Sequence, residues 1–183
     1  MAQLALVSDD LHFLQHLLPT WEQQFDLRVL NPPKPPPRIR GPRDLLAGLR
    51  TRRLRSRELP PLAKWADVVF CEWATHYLEW LSHHPGRAKL ATRMHRYELE
   101  RHADRVNWDN VALVLFVSDA MERAFRAAVP DYSGQTAVVY ENIDFTKFST
   151  CNRGVTLRLG MLGLVIPRKG VREAVEFFAA VAD

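Results

Sequence analysis

Cysteine is nearly absent from this 183-residue chain. The two present, Cys71 and Cys151, stand far apart and without metal-ligand spacing. That excludes a disulfide framework and a cysteine-based zinc site, and makes reduced thiols in a cytosol the default. Long hydrophobic runs are lacking as well. None reaches the ~18 residues that a membrane span needs, and Met1-Ala2-Gln3 lacks the basic flank of a secretory leader. A soluble, cytoplasmic protein is expected. Aromatic residues are missing between Phe25 and Trp65, which removes the stacking platform that a basic segment needs to hold bases and makes nucleic acid an unfavoured partner. No internal repeat is visible.

What is present is a hydrophobic fraction of 47%, enough for a buried core in one domain, or one domain and a piece. The net charge of +4 is unevenly placed. Residues 34–57 hold nine basic side chains (Lys34, Arg38, Arg40, Arg43, Arg50, Arg52, Arg53, Arg55 and Arg57) and one acid, Asp44, a local charge of +8. A focused patch of this kind draws an anionic partner. The readings open for Arg50, Arg52, Arg53 and Arg55 are a solvated face, an anionic membrane surface or lipid-linked acceptor suited by the leucines among them, and, less favoured, nucleic acid.

Short apolar runs alternate with helical patterns along most of the chain, the pattern of a doubly wound parallel α/β sheet. Strands are expected at 3–7, 26–30, 67–71, 88–94, 111–117 and 136–140, the fourth of them edge-like. The expected helices are 11–25 (ended or kinked by Pro19), 43–57, 75–84, 96–105 and one from Ser118 to Pro130. Six prolines between 31 and 42 make that stretch an extended loop. A Rossmann-like domain over 1–153 is expected, followed by a strand–helix unit over 154–183. The apolar stripe Val171, Ala174, Val175, Phe178 and Ala179 in that unit implies self-association through it or docking on the first domain.

Open parallel sheets bind ligands at the carboxyl ends of their strands. The residues that follow the expected strands are therefore the candidates: Ser8 and Asp9, Glu72 and Trp73, His95, Asn142, and the Pro167-Arg168-Lys169-Gly170 turn. His95 offers a donor and an acceptor near neutral pH, which suits carbohydrate hydroxyls. Glu98 follows it by three residues. Lys169 stands at a helix start, where a cation is unfavourable unless an anion sits there too. His95, Glu98 and His102 also have helical spacing compatible with a metal, but nothing completes the ligand set, so no metal is expected.

The order of these features resembles the middle of retaining, nucleotide-sugar-dependent glycosyltransferases of the GT-B fold, family 4 type. Two segments carry the resemblance. One is Tyr140-Glu141-Asn142-Ile143-Asp144 with Phe148; the other is Leu159-Gly160-Met161-Leu162-Gly163-Leu164-Val165-Ile166-Pro167-Arg168-Lys169-Gly170. It spans roughly residues 67–178. It implies an acceptor domain plus the start of a donor domain, transfer of a sugar from a nucleotide sugar to a glycan or lipid-linked acceptor, and no cofactor beyond that co-substrate. It also implies a catalytic role for His95 at the transferred sugar, and contacts from Arg168 and Lys169 to the donor phosphates. Work at the inner face of the cytoplasmic membrane would follow. The first strand here ends in Ser8-Asp9-Asp10 without the family's glycine pair, and Leu164 stands where an arginine is common. Two alternatives stand beside this reading: a non-catalytic binding module for an anionic polymer or membrane surface, and a phosphoacceptor receiver domain, disfavoured because Asp67 opens its strand and Glu72 follows it.

Overall fold

The computed structural model describes residues 1–32, 41–140, 146, 148–149, 154, 160–163 and 165–181, apart from the side chains of 54, 55 and 168. Two compact units are present, Met1–Ile143 and Asp144–Asp183.

The first unit is built on six parallel strands: β1 (Gln3–Val7), β2 (Asp26–Leu30), β3 (Val68–Cys71), β4 (Lys89–Met94), β5 (Val111–Phe116) and β6 (Gln135–Val138). Their order across the sheet is β2-β1-β3-β4-β5-β6. Between them run α1 (Leu18–Gln24), α2 (Pro42–Trp65), α3 (His76–His83), α4 (Arg96–His102) and α5 (Asp119–Ala128). The four inner strands are mostly buried, while β2 and β6 at the edges are not. This is why the inner runs read as nearly continuous hydrophobics and DLRVL alternates. The result is a Rossmann-like doubly wound α/β fold.

Alternate residues of each strand point to opposite faces. One face, carrying Ala5, Val7, Val69, Cys71, Met94, Val114 and Phe116, packs under α2 to α5. The other, carrying Leu6, Phe70 and Ala91, packs against Leu14, Leu17, Leu18 and Trp21 around α1. On the first face Phe125 of α5 is wholly buried and touches Phe116, Trp108 and Tyr132, with ring centroids 4.8–5.3 Å apart. An aromatic truncation there costs about 3–5 kcal/mol.

Three expectations need correction. β4 is not edge-like: it lies between β3 and β5. Its polar residues are accommodated at the centre of the sheet because Thr92 donates to the Cys71 carbonyl at 2.9 Å and Arg93 pairs with Glu72. Pro19 does not end a helix but sits in the first turn of α1, after turns over 12–17. The N–H that proline lacks there has no intrahelical acceptor in any case. α2 runs past 57 to Trp65 and contains Pro60 and Pro61. The carbonyls those prolines leave without a donor belong to Ser56 and Arg57, exposed residues that water can reach. Burial of Leu59 and Ala63 holds this part of the helix on the sheet.

In the second unit a 3₁₀ turn, Pro167–Lys169, leads through Gly170 in the left-handed region (φ 63°) into α6 (Val171–Val181). Glycine suits that hinge because a Cβ would strain it. No residue of α6 is buried, and Val175, Phe177 and Phe178 are exposed. Of the strand expected before this turn, 157–159 and 164 lie outside the described residues, and 160–163 and 165 are not extended into a strand.

Candidate binding site

In the order β2-β1-β3, the connections leaving β1 and β3 run to opposite sides of the sheet. This makes the carboxyl ends of β1 and β3 the topological switch point, the place where an open α/β sheet offers a crevice. Ser8, Asp9, Glu72 and Trp73 all stand there, and His95 follows the next strand, β4. The sheet thus gathers five residues spread over nearly ninety positions of sequence.

Each is fixed locally. Ser8 is buried; its hydroxyl donates to the Asp10 carbonyl at 2.6 Å and accepts from the Asp10 N–H at 3.1 Å, closing a tight turn directly after β1. The Asp10 carboxylate then accepts the His12 N–H at 3.0 Å. Asp9 sits between them, half-buried. Trp73 reaches back across the switch point, its indole N–H donating to the Asp10 carbonyl at 3.4 Å, with the Phe13 ring edge-on at 5.8 Å. The His95 imidazole stacks on Trp73, with centroids 4.4 Å apart and planes 26° from parallel. The His95 side chain is 20% exposed. Behind it, the buried Glu98 carboxylate accepts the His95 backbone N–H at 2.8 Å and lies 3.5 Å from Nδ1. That contact ties the entry of α4 to the end of β4.

Glu72 is placed beneath this layer. It is fully buried, and its carboxylate pairs with the guanidinium of Arg93, itself 7% exposed. Each partner is next to, or two residues before, one member of the stacked pair, so one ion pair ties the β3 and β4 ends together. The Arg93 guanidinium lies 6.0 Å from the Phe13 ring. Asp10, which follows the first strand with Ser8 and Asp9, belongs to this constellation, as do Phe13 and Arg93, which were not singled out from sequence. Arg93 carried a usable signal, a charge at a buried position within an apolar strand; Phe13 carried none.

Asn142 lies outside the described residues, as does the Arg168 side chain. Lys169 is exposed in the 3₁₀ turn of the second unit. Arg50, Arg52 and Arg53 are exposed on α2; the Arg55 side chain is outside the described set. His102 is turned away from His95 and pairs through Nδ1 with Glu79 on α3 at 2.5 Å. Burial works to raise the Glu79 carboxyl, but the hydrogen bond and charge of His102, with Arg105 and His76, outweigh it and hold Glu79 below its ordinary value. Among the described residues no group of three or more His, Cys, Asp or Glu is placed to hold a metal. Cys71 is buried, its thiol pushed up to about 12 by that burial, and is chemically inert.

Asp67 lies at the amino end of β3. Its carboxylate accepts the Gln3 N–H at 2.9 Å and pairs with Arg87; the Gln3 bond, ahead of Arg87, holds it below the usual carboxylate range although loss of water works the other way. The carboxyl end of β3 carries Glu72, so an acyl phosphate has no aspartate to form on, and the receiver alternative falls. Two open hollows exist elsewhere, one of about 520 Å³ between β2 and α2 at Arg28, Leu30, Glu58 and Leu62, the other of about 390 Å³ at Ile166, Pro167 and Val171. The hollow between β2 and α2 includes none of the switch-point residues Ser8, Asp9, Glu72 and Trp73.

No family model matches the chain, and comparison with curated proteins and with solved structures returns no match. The class the structure defines is therefore that of its fold, a six-stranded parallel α/β sheet with a polar–aromatic cluster at its switch point.

Proposed function

We propose that the chain is the acceptor-binding part, with the start of the donor-binding part, of a retaining glycosyltransferase that moves a sugar from a nucleotide sugar to a glycan or lipid-linked acceptor. The observation that carries this reading is the stacked Trp73–His95 pair at the carboxyl ends of β3 and β4. An indole offers an apolar face to the C–H side of a sugar ring, and an imidazole beside it offers a donor and an acceptor to its hydroxyls. Ser8, Asp9 and Glu98 frame that pair. Arg168 and Lys169 are the residues for the donor phosphates, with the nucleotide sugar as co-substrate, no resident cofactor and no metal. Polysaccharide or glycolipid assembly on the cytoplasmic side, at a membrane surface, is the setting.

The test is transfer or hydrolysis of nucleoside diphosphate sugars by the parent and by His95→Ala. A turnover lower by roughly a hundredfold in a folded His95→Ala variant is expected, the usual loss when one group aimed at the reacting centre is removed. Equal turnover in the two rejects the reading. A second reading, a non-catalytic module for an anionic polymer or surface, is favoured by one feature, the exposed arginines of α2. It predicts tight salt-sensitive binding with no turnover in the parent.

A further inference from the structure

A parallel ladder uses every second residue of an edge strand and leaves the others facing outward. In β2 the Asp26 N–H donates to the Ala2 carbonyl and the Leu30 carbonyl accepts the Ser8 N–H, so Asp26, Arg28 and Leu30 turn their backbone groups towards β1. Leu27 and Val29 turn theirs the other way, where no described strand lies. Natural edges are blunted by proline, by a bulge or by charged side chains that repel a second edge. β2 (DLRVL) contains no proline, runs in unbroken register along β1, and carries one acid and one base. Asp26 and Arg28 are exposed, and so is Val29, at 41%. α2 does not close over the strand, since a hollow of about 520 Å³ opens between them at Arg28, Leu30, Glu58 and Leu62.

We propose that β2 pairs edge to edge with β2 of a second copy of this chain, antiparallel about Leu27, so that the two six-stranded sheets join. Any extended segment can add to an open edge; the order of charges in this one selects its own copy. With Leu27 at the two-fold axis, the two Leu27 residues exchange both backbone hydrogen bonds, and Asp26 of each chain lies directly opposite Arg28 of the other. Those two pairs are of the kind in which facing side chains come closest. The same alignment sets exposed Val29 against Phe25 of the second copy, a β-branched residue beside an aromatic. Centred instead on Arg28, like charges would meet; centred on Val29, neither charge would find its opposite. The Arg28 guanidinium lies 4.0 Å from the centre of the Trp65 ring, which holds it on the α2 face of the sheet. Asp26 projects from that same face. The inference is independent of the sugar-transfer reading, since it needs neither donor nor acceptor.

The experiment is sedimentation velocity of the full chain at up to roughly 100 μM, which populates complexes of micromolar dissociation constant. The parent is compared with Asp26→Arg, with Arg28→Asp and with the chain carrying both substitutions. Both positions are exposed, and circular dichroism and thermal melting confirm each fold. The parent should be a dimer. Each single variant sets like charges opposite one another in both pairs and should dimerise at least roughly tenfold more weakly. The double variant exchanges the signs and should regain parent-like dimerisation. An equimolar mixture of the two single variants should do the same, because every facing pair is again of opposite sign; a merely weakened strand would gain nothing from mixing. A monomeric parent, single variants that dimerise as the parent does, or a mixture that associates no better than its components overturns the proposal. So does a dimer that is lost in Phe177→Ser/Phe178→Ser and kept in the β2 variants, which assigns self-association to α6.

Discussion

Arginine serves two opposite purposes in this molecule. Arg93 is buried at the centre of the sheet and committed to Glu72. Arg43, Arg50, Arg53 and Arg57 are exposed on α2. A buried guanidinium is expensive to desolvate and is retained only with an excellent partner, so it fixes geometry: here the ends of β3 and β4, and through them Trp73 and His95. An exposed one fixes nothing within its own fold and acts at a distance that salt sets. The same residue type thus ties strand ends together at one place and stands in solvent at another, and burial separates the two.

The comparison breaks first at its buried half. Arg93→Met should destabilise the chain by about 3–5 kcal/mol, because the Glu72 carboxylate stays buried without that guanidinium. Urea denaturation measures this, and added salt should change the loss little. Replacing both partners, as in Glu72→Leu with Arg93→Met, should recover most of that stability, since an apolar pair of similar volume can stand in for an ion pair. A single Arg93→Met that costs under about 1 kcal/mol would show the pair to be solvent-screened and the contrast with α2 to be empty.

A smaller loss supplies the control without charge. At Gly134 an added Cβ would stand 2.7 Å from the Val111 carbonyl and collide with the Tyr132 ring, whose hydroxyl donates to the carbonyls of Val111 and Gln135 at 3.1 Å. Gly134→Ala should therefore cost about 1–3 kcal/mol by overpacking. Because this corner lies near the amino ends of β5 and β6, away from Trp73, ligand binding by the folded fraction should be unchanged. Loss of binding equal to that of the Arg93 variant would mean that general stability, not the ion pair, governs the site.

The smallest effect belongs to a pair of intermediate exposure, Glu79–His102. The folded-state carboxyl of Glu79 is lowered from its ordinary 4.5. Its contribution is accordingly present above that ordinary value and is lost as pH falls through the lowered one. Parent and Glu79→Gln should differ by at most about 1 kcal/mol near neutral pH, and the difference should close as pH falls below the ordinary carboxylate value. A gap that widens on acidification would reverse the assignment of sign.

Much of the framework was legible in the chain. The runs QLALV and DLRVL form β1 and β2 with the expected bounds, because strand character there rests on local apolar content bracketed by polar turns. The site was legible as positions and not as an arrangement. Residues that follow strands are readable, so Ser8, Trp73 and His95 could be placed at strand ends. Arg93 was hidden within a strand, and its partner Glu72 looked available to a ligand because burial depends on β4 lying centrally in the sheet. Pro19 misled because a proline ends a helix only where its missing N–H and its ring meet an occupied position, and here it meets a first turn.

The account rests on Trp73 and His95 receiving a sugar. Its most direct test is nuclear magnetic resonance of the His95 ring protons and the Trp73 indole N–H, assigned by His95→Ala and Trp73→Phe, during titration with a nucleoside diphosphate sugar up to millimolar concentration, about −4 kcal/mol of binding. The stack predicts ring-current shifts for His95 in the free protein, and both signals should move together and saturate as sugar is added. Signals that stay fixed while others in the protein move would place the ligand elsewhere and contradict the account.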